Sequence, residues 1–413
     1  MADGQEQLYI GLDIGTSKVA CVVGLMEEDS EKPSIIGVGV APTTGLRRGV
    51  IVDIDETVTS ITAAVDEAER VSGIPIHRAT ISIDGSSVRS LNSSGVIAVS
   101  HADHEITPED VHRVEDAATA VQLPANHEIV QVFPRRYTVD GEPVVKDPAG
   151  MTGVRLEVES HIITAHTGAL KNLHRVLDQA GVDIEGQVLV PVAAAETVLT
   201  KQQKELGVVL VDIGAGTTGV AVYQEGAVVH TGILPIGSGH ITNDLAIGLR
   251  TNVDTAEQIK LKYAEVTEHM AAKADVVKIP ELGSEQNVEK RHLDLIVTAR
   301  TSEILDMVAA EIHKAGKDVL LPAGVVITGG GANLKGLVSY AKQALKLPVS
   351  VGKPKDFNGL VDRINDPGFA APIGLMLMNM QFGGVVRHNK RKSSGGAGGG
   401  FGKLRNSLKR FLP

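Results

Sequence analysis

Two short stretches of this chain have the residue types needed to hold a polyphosphate. In the first, Asp13-Ile14-Gly15 closes an apolar run and is followed by Thr16, Ser17 and Lys18. In the second, Asp212-Ile213-Gly214 closes another and is followed by Ala215, Gly216, Thr217 and Thr218. Glycine in a turn removes the Cβ that keeps an anion off the backbone, and successive N–H groups can then form an anion nest. The hydroxyls of Thr16, Ser17, Thr217 and Thr218 add donors, and Lys18 adds a point charge. Asp13 and Asp212, at the strand ends, are placed to hold a hydrated Mg2+ that offsets phosphate charge. One such hairpin alone reads more readily as an ordinary Asp/Gly turn. Two in the same register, 199 residues apart, read as a duplicated domain. A third turn, Thr328-Gly329-Gly330-Gly331-Ala332-Asn333, again follows an apolar strand and leads into a helix start, which suits close approach of a nucleotide.

These turns need strands on either side and helices to cover them. Residues 8–26 and 207–226 are β-rich hairpins. Residues 55–73 read as a helix, with Val58, Ile61, Ala64, Val65 and Ala68 at helical spacing and Gly73 just past the end. Strands at 79–85, 127–139 and 155–165 alternate with helices at 108–121 and 168–180. Thr107 is a hydroxyl cap for the first of these helices, with Pro108 in the first turn and Glu109 and Asp110 against the dipole. Residues 332–380 again alternate between helix and strand. An α/β chain of two or three domains is expected from a length of 413 residues.

The chain is 43% hydrophobic and 22% charged, as suits a globular protein with a sizeable core. Its formal net charge of −10 and its few aromatics (six Phe, five Tyr, no Trp) argue against a nucleic-acid partner. A single cysteine, Cys21, excludes an internal disulfide and a Cys-based zinc site and is expected in the core. The 14 histidines show no metal-ligand spacing. No apolar run reaches 18 residues, and the polar, acidic start does not fit a secretory signal, so a cytosolic protein is expected.

The charge is unevenly spread. Residues 387–413 carry eight basic groups and no acid, which leaves −18 on the rest. Residues 387–400 read as a flexible basic, Gly-rich linker. Residues 401–413 recover periodicity: Phe401, Leu404, Leu408, Phe411 and Leu412 fall on one helical face, with Lys403, Arg405, Lys409 and Arg410 on the flanks and far side. That is the pattern of an interfacial membrane anchor; docking on the protein's own body is the alternative. Each basic group near anionic lipid contributes roughly 1 kcal/mol, so four give a weak, reversible anchor that avidity in a polymer would multiply.

The three Gly-rich loops, in this order and spacing, resemble those of the actin and sugar-kinase superfamily, whose members have two duplicated α/β domains around an ATP cleft. The resemblance implies that Asp13, Gly15, Thr16, Ser17 and Lys18, with Asp212, Gly214, Ala215, Gly216, Thr217 and Thr218, form the phosphate loops. It implies that Gly329, Gly330, Gly331 and Asn333 form the adenosine loop, and that Glu257 and Lys260 lie beside the ribose. Glu257 has a second reading, because Asp254-Thr255-Ala256-Glu257 has the form of a capping box.

A narrower resemblance is carried by Gly49-Val50-Ile51-Val52-Asp53-Ile54-Asp55, Leu91-Asn92-Ser93-Ser94-Gly95 and Gly150-Met151-Thr152-Gly153-Val154-Arg155-Leu156-Glu157-Val158. Leu206-Gly207-Val208-Val209-Leu210-Val211-Asp212, Leu234-Pro235-Ile236-Gly237-Ser238-Gly239-His240-Ile241-Thr242-Asn243-Asp244 and Ala256-Glu257-Gln258-Ile259-Lys260 add to it. All are similar to the FtsA family of bacterial cell-division proteins, over about residues 8–385 and again in the terminal helix. It implies an actin-like fold with an FtsA-type insert, subdomain 1C. Subdomain 1A would comprise 1–84 and 164–195 with part of 365–386, and 1C would comprise 85–163. Subdomain 2A would comprise 196–237 and 311–364, and 2B 238–310. The implied partners are the C-terminal peptide of FtsZ, further copies of the chain in filaments, other division proteins through 1C, and an anionic membrane. The implied place is the septum, on the cytoplasmic side of the inner membrane. In 2B, Lys290, Arg291 and Arg300 are candidate contacts for the FtsZ peptide, a solvated helix face being the alternative. The position where hydrolases of the superfamily orient the attacking water falls on Val190, which cannot do so, and slow hydrolysis of ATP is expected. Two other functions fit the fold: a PilM-like pilus assembly protein, which the C-terminal helix disfavours, and a small-molecule kinase, for which no carboxylate base is evident.

Overall fold

The computed structural model of the protein describes residues 7–27, 30–144, 147–267, 275–282, 287–316, 319–360 and 364–381. The proposed linker and terminal helix, 387–413, lie outside the described residues. Two sheets share one plan. In the first, the antiparallel strands Gln7–Ile14, Lys18–Met26 and Ser34–Pro42 form a meander. Arg78–Ile83 pairs parallel to the first of them, and Asp183–Leu189 pairs parallel to Arg78–Ile83. In the second sheet Val208–Ile213, Thr218–Gln224 and Ala227–Leu234 form the meander, Val325–Thr328 lies parallel to Val208–Ile213, and Val349–Val351 follows. The strand order is therefore the same, apart from a short Asn358–Gly359 added to the edge of the first sheet. Strands covered on both faces lose the alternation of a half-exposed strand, and all six residues of Val208–Ile213 are buried.

Local sequence explains the covering helices. Ile54–Ser72 starts at Asp53, whose carboxylate accepts from the Glu56 N–H, and stops at Gly73 in the left-handed conformation. Its buried face, with Ile61, Ala64, Val65 and Ala68, shares a core with Cys21, whose fully buried thiol is pushed up to about 12 by burial. Val190–Val198 and Ala370–Gln381 cross between the two sheets, so closely that a Cβ on Gly374 would sit 1.8 Å from the Ala193 carbonyl. Buried Asn379 ties this crossing to the first sheet, accepting from Ile10 N and donating to Thr80 and Glu185.

Two excursions leave this frame. After Arg78–Ile83 the chain builds an antiparallel sheet in the order Val88–Ala98, Arg155–His166, His127–Val139, Glu142–Val144. Pro108–Thr119 packs on it from a Thr107–Asp110 capping box. The other side of this insert meets the second sheet through His161 Nε2 and Thr231 Oγ1, 2.9 Å apart, and Ser90 Oγ, which donates to Thr231 O at 2.7 Å. After Ala227–Leu234 the chain forms Ser238–Leu249, Val253–Tyr263 and the 25-residue helix Lys290–Lys314 around their own core. Among the described residues no helix is long and apolar enough to cross a membrane.

Candidate functional site

The two hairpin turns are congruent. Gly15 N donates to Lys18 O at 3.0 Å, and Gly214 N donates to Thr217 O at 2.9 Å. The flanking pairs are Ile14 with Val19 and Ile213 with Thr218. The turns meet so closely that a Cβ on Gly216 would lie 2.5 Å from Thr16 Oγ1, which restricts that position to glycine. Neighbouring segments hold each turn: Gly49 N donates to Thr16 Oγ1 at 3.1 Å, and Ser238 N and Gly239 N donate to the carbonyls of Gly214 and Ala215 at 2.8 and 2.9 Å.

Between the turns opens a cleft of about 1090 Å³. Its walls bring together Asp13, Gly15, Thr16, Ser17 and Lys18 with Asp212, Gly214, Ala215, Gly216 and Thr217, and with Glu257, Lys260, Gly329, Gly330, Gly331 and Asn333. Thr218 is the exception. It is fully buried and donates to the Ile236 carbonyl at 2.8 Å, because as the first residue of its strand it faces the core, opposite to the cleft-facing Thr217.

The cleft floor is acidic. Asp212 is 8% exposed, and burial, then the nearby charges of Asp13 and Asp84, push its carboxyl up to about 7. Burial likewise pushes Asp13 up to about 6, opposed by a hydrogen bond from Ser82 and by the Lys18 charge. Burial raises Asp84 as well, although the Thr217 hydroxyl, donating at 2.5 Å, and the Gly85 N–H favour its charged form. Lys18 is lowered by burial despite the pull of Asp13, Asp366 and Asp212. Its ammonium also lies 4.0 Å over the Phe369 ring. Among the described residues no group of three carboxylates, imidazoles or thiols is close enough to ligate a metal ion directly. The chemistry of the donor set, desolvated carboxylates at two facing strand ends, fits a divalent cation held through its waters. Asp84 escaped the sequence reading, although it too stands with a glycine, Gly85, at the end of an apolar strand, without the isoleucine that separates Asp from Gly in the first two turns.

On the opposite wall the capping-box reading of Glu257 fails. The helix starts two residues earlier than that reading requires: Asn252 is the N-cap and accepts from Thr255 N at 2.8 Å. That frees Glu257 to face the cleft, where its carboxylate accepts from Thr242 Oγ1 and pairs with Lys260 Nζ at 2.7 Å. Lys260, 8% exposed, also donates to Thr242 Oγ1 at 2.9 Å. Gly329 has φ 82° and ψ 169°, a region open to glycine alone, and a Cβ there would lie 2.1 Å from Asp212 Oδ1. Asn333 donates to Asp366 at 2.8 Å. Val190 begins the helix Val190–Val198 on the cleft wall, while Glu196 on the same helix pairs with Lys204 at 2.6 Å. His240, which sequence gave no role, lines the cleft and accepts from Gly237 N at 3.1 Å.

The basic residues singled out on the long helix are largely neutralised. Arg300 grips Asp244 with two nitrogens, at 2.6 and 3.0 Å, and also pairs with Glu303. Lys290 pairs with Asp294 on the next turn and approaches Glu265 to 3.8 Å. Arg291 between them is half-buried.

The chain is similar to known proteins in both sequence and fold. Residues 209–374 match the family model described as cell division protein FtsA, and residues 85–164 match the SHS2 domain inserted in FTSA. The cell division protein FtsA of Pseudomonas aeruginosa is 38% identical over 377 residues, 91% of this chain and 90% of that one. That of Bacillus subtilis is 40% identical over 372 residues, 90% of this chain and 83% of that one. Among solved structures, a PilM–PilN type IV pilus biogenesis complex chain is similar with TM-score 0.63 at 17% identity, covering 90% of this chain and 98% of its own. MreB5 of Spiroplasma citri bound to ADP is similar with TM-score 0.52 at 14% identity, covering 90% and 95%. At such identities the likeness is one of fold, and that fold is the actin-like one.

Proposed function

The chain belongs to the FtsA family of cell-division proteins, and from that premise we propose that it is an ATP-dependent scaffold that polymerises and tethers FtsZ filaments to the membrane. The observation that carries the nucleotide part is the meeting of two congruent turns over an acidic floor, beside a glycine strip. In this reading the hydroxyls of Thr16, Ser17 and Thr217 and the turn N–H groups take the phosphates, with Lys18 as a point charge. Asp13 and Asp212 hold the waters of Mg2+, Glu257 and Lys260 take the ribose, and Gly329, Gly330, Gly331 and Asn333 border the adenosine. Bound nucleotide supplies a charged ligand shared by the two halves. Val190 offers no group to orient water, which supports slow turnover and a switching rather than metabolic role. The ADP-bound state of the MreB5 of similar fold supports the nucleotide reading. Titration of fluorescent ATP with Mg2+ tests it: micromolar binding in the native protein and loss of at least tenfold in Asp212→Ala are expected, and absence of binding would end it.

The insert at 85–163 is proposed as the 1C surface for other division proteins, and 238–310 as the 2B site for the FtsZ C-terminal peptide, with Lys290, Arg291 and Arg300 as contacts. Because Arg300 is already paired with Asp244, a peptide carboxylate there would have to displace or extend that pair. An isotherm with the FtsZ tail peptide on Arg291→Glu and Arg300→Glu separates the two residues. Membrane attachment rests on the sequence of 401–413, and with the family's role in division it supports a location on the cytoplasmic face at the septum. Replacing Phe401 and Phe411 by Glu should abolish flotation with anionic vesicles; unchanged flotation would refute the anchor.

A further inference from the structure

The register of the two sheets identifies positions that correspond. Asp212 faces Thr328 in the second sheet. Counting on from Leu12 facing Ile81, Asp13 faces Ser82 in the first. Two residues beyond these stand Gly330 and Asp84. At Gly330 an added Cβ would meet nothing within 4 Å, so that side of the cleft is open. At Asp84 the same place carries a carboxylate. It reaches across the cleft to the other half, 133 residues away in sequence, and accepts the Thr217 hydroxyl at 2.5 Å. The side chain is fenced in. A Cβ on Gly49 would lie 3.2 Å from Asp84 Oδ2, and Gly85, at φ 98°, packs directly on Gly49.

This contact has two consequences for an anionic ligand. Thr217 is one of the hydroxyl donors of the second turn, and here it is spent on Asp84 rather than offered to the cleft. The carboxylate also adds a third acid beside Asp13 and Asp212, on which Lys18 is the cation that acts directly, while Arg47, Arg48, Lys260 and Lys335 line other parts of the cleft. A polyphosphate without a counter-ion meets like charge on a partly desolvated floor, where repulsion is screened far less than in bulk water. A divalent cation reverses that balance. It is attracted by the carboxylates and neutralises the phosphates it accompanies.

We propose that Asp84 is a specificity-determining residue that makes the cleft accept a nucleotide only as its divalent-metal complex, by occupying Thr217 and repelling the bare polyphosphate. Asp84 thus acts as a gate on the form of the ligand, and its partner Thr217 is released when that form enters. The inference rests on the nucleotide reading of the cleft given above, and its test separates the two.

Fluorescent ATP is titrated into the full-length protein with excess Mg2+ and, separately, with EDTA. The native protein should bind at least about 100-fold more tightly with Mg2+ than in EDTA. Asp84→Asn, which keeps the shape and removes the charge, should shrink that ratio at least tenfold by gaining affinity in EDTA. Asp84→Ser provides the same measurement if the Asn variant melts early, and thermal unfolding without nucleotide monitors both. Thr217→Val, which removes a donor released only to the metal complex, should weaken binding with Mg2+ more than in EDTA and so narrow the ratio. A ratio unchanged in a folded Thr217→Val variant overturns the release of Thr217. The same Mg2+-to-EDTA ratio in the native protein and in a folded Asp84 variant overturns the gate alone, as does tight native binding in EDTA. No binding by the native protein in either condition overturns the nucleotide reading and the gate with it.

Discussion

In the first half of the molecule the strand beside the hairpin runs into Asp84, and in the second half the equivalent strand runs into the glycines that follow Thr328. The first hairpin ends in Lys18, which rests over Phe369 among acids, while the matching place in the second is Thr217, which donates to Asp84. One strand plan has thus been given charge on one side and open backbone on the other. Duplication supplies the frame and the facing turns, and divergence at a few strand ends decides which strand runs into a carboxylate and which into glycine. The acids follow the same logic. Asp13 and Asp212 are equivalent in register and both are raised by burial, yet Asp212 is raised further because the charges of Asp13 and Asp84 add to burial there, whereas a hydrogen bond from Ser82 holds Asp13 back.

The comparison breaks most severely at Gly329. Gly329→Val forces a side chain into Asp212 from a backbone conformation that only glycine tolerates. A loss of at least about 3 kcal/mol in urea unfolding, or failure to fold, is expected. Next comes the pH response of the nucleotide-free protein. A carboxyl raised in the folded state binds a proton that the unfolded chain has already released. Stability therefore falls as pH climbs from the ordinary value of 3.8 towards about 6 for Asp13 and 7 for Asp212. Urea unfolding at pH 5 and pH 7.5 should show a drop of roughly 2 kcal/mol, moderated by water in the open cleft, and Asp212→Asn should flatten it more than Asp13→Asn. An unchanged slope in Asp212→Asn would mean the floor is hydrated as if exposed. Lys18→Met should cost under about 1 kcal/mol of stability, through its aromatic contact, but weaken nucleotide binding about tenfold. The smallest effect on folding belongs to Gly330→Ala, within about 0.5 kcal/mol, since its new methyl meets no atom. Comparing its nucleotide affinity with that of Lys18→Met asks whether the open wall matters as much as the charged one.

Much of the frame was legible. The helix Ile54–Ser72 has its Asp53 cap and Gly73 stop within one turn of its ends, and Pro108–Thr119 has the expected Thr107 cap. The two turns were legible because Asp, Gly and Thr encode them within five residues. Less of the opposite wall was readable. A start displaced by two residues, to Asn252, turned Glu257 from a cap into a cleft residue paired with Lys260. Thr218 looked like Thr217 in sequence, but neighbouring side chains at a strand start point opposite ways.

By itself the sequence determined the repeated strand–Asp–Gly turns, the caps, the glycine triplet and the separation of an acidic body from a basic C-terminal segment. These follow from backbone preferences and composition, which act over a few residues or none at all. Tertiary structure decided which of the polar and charged groups confront one another: Asp84 with Thr217, Arg300 with Asp244, and Asp13 with Asp212. Those meetings span 56 residues for Arg300 and 133 for Asp84. They depend on how two sheets and two crossing helices pack, and burial and Coulomb interaction are properties of that packing rather than of the residues.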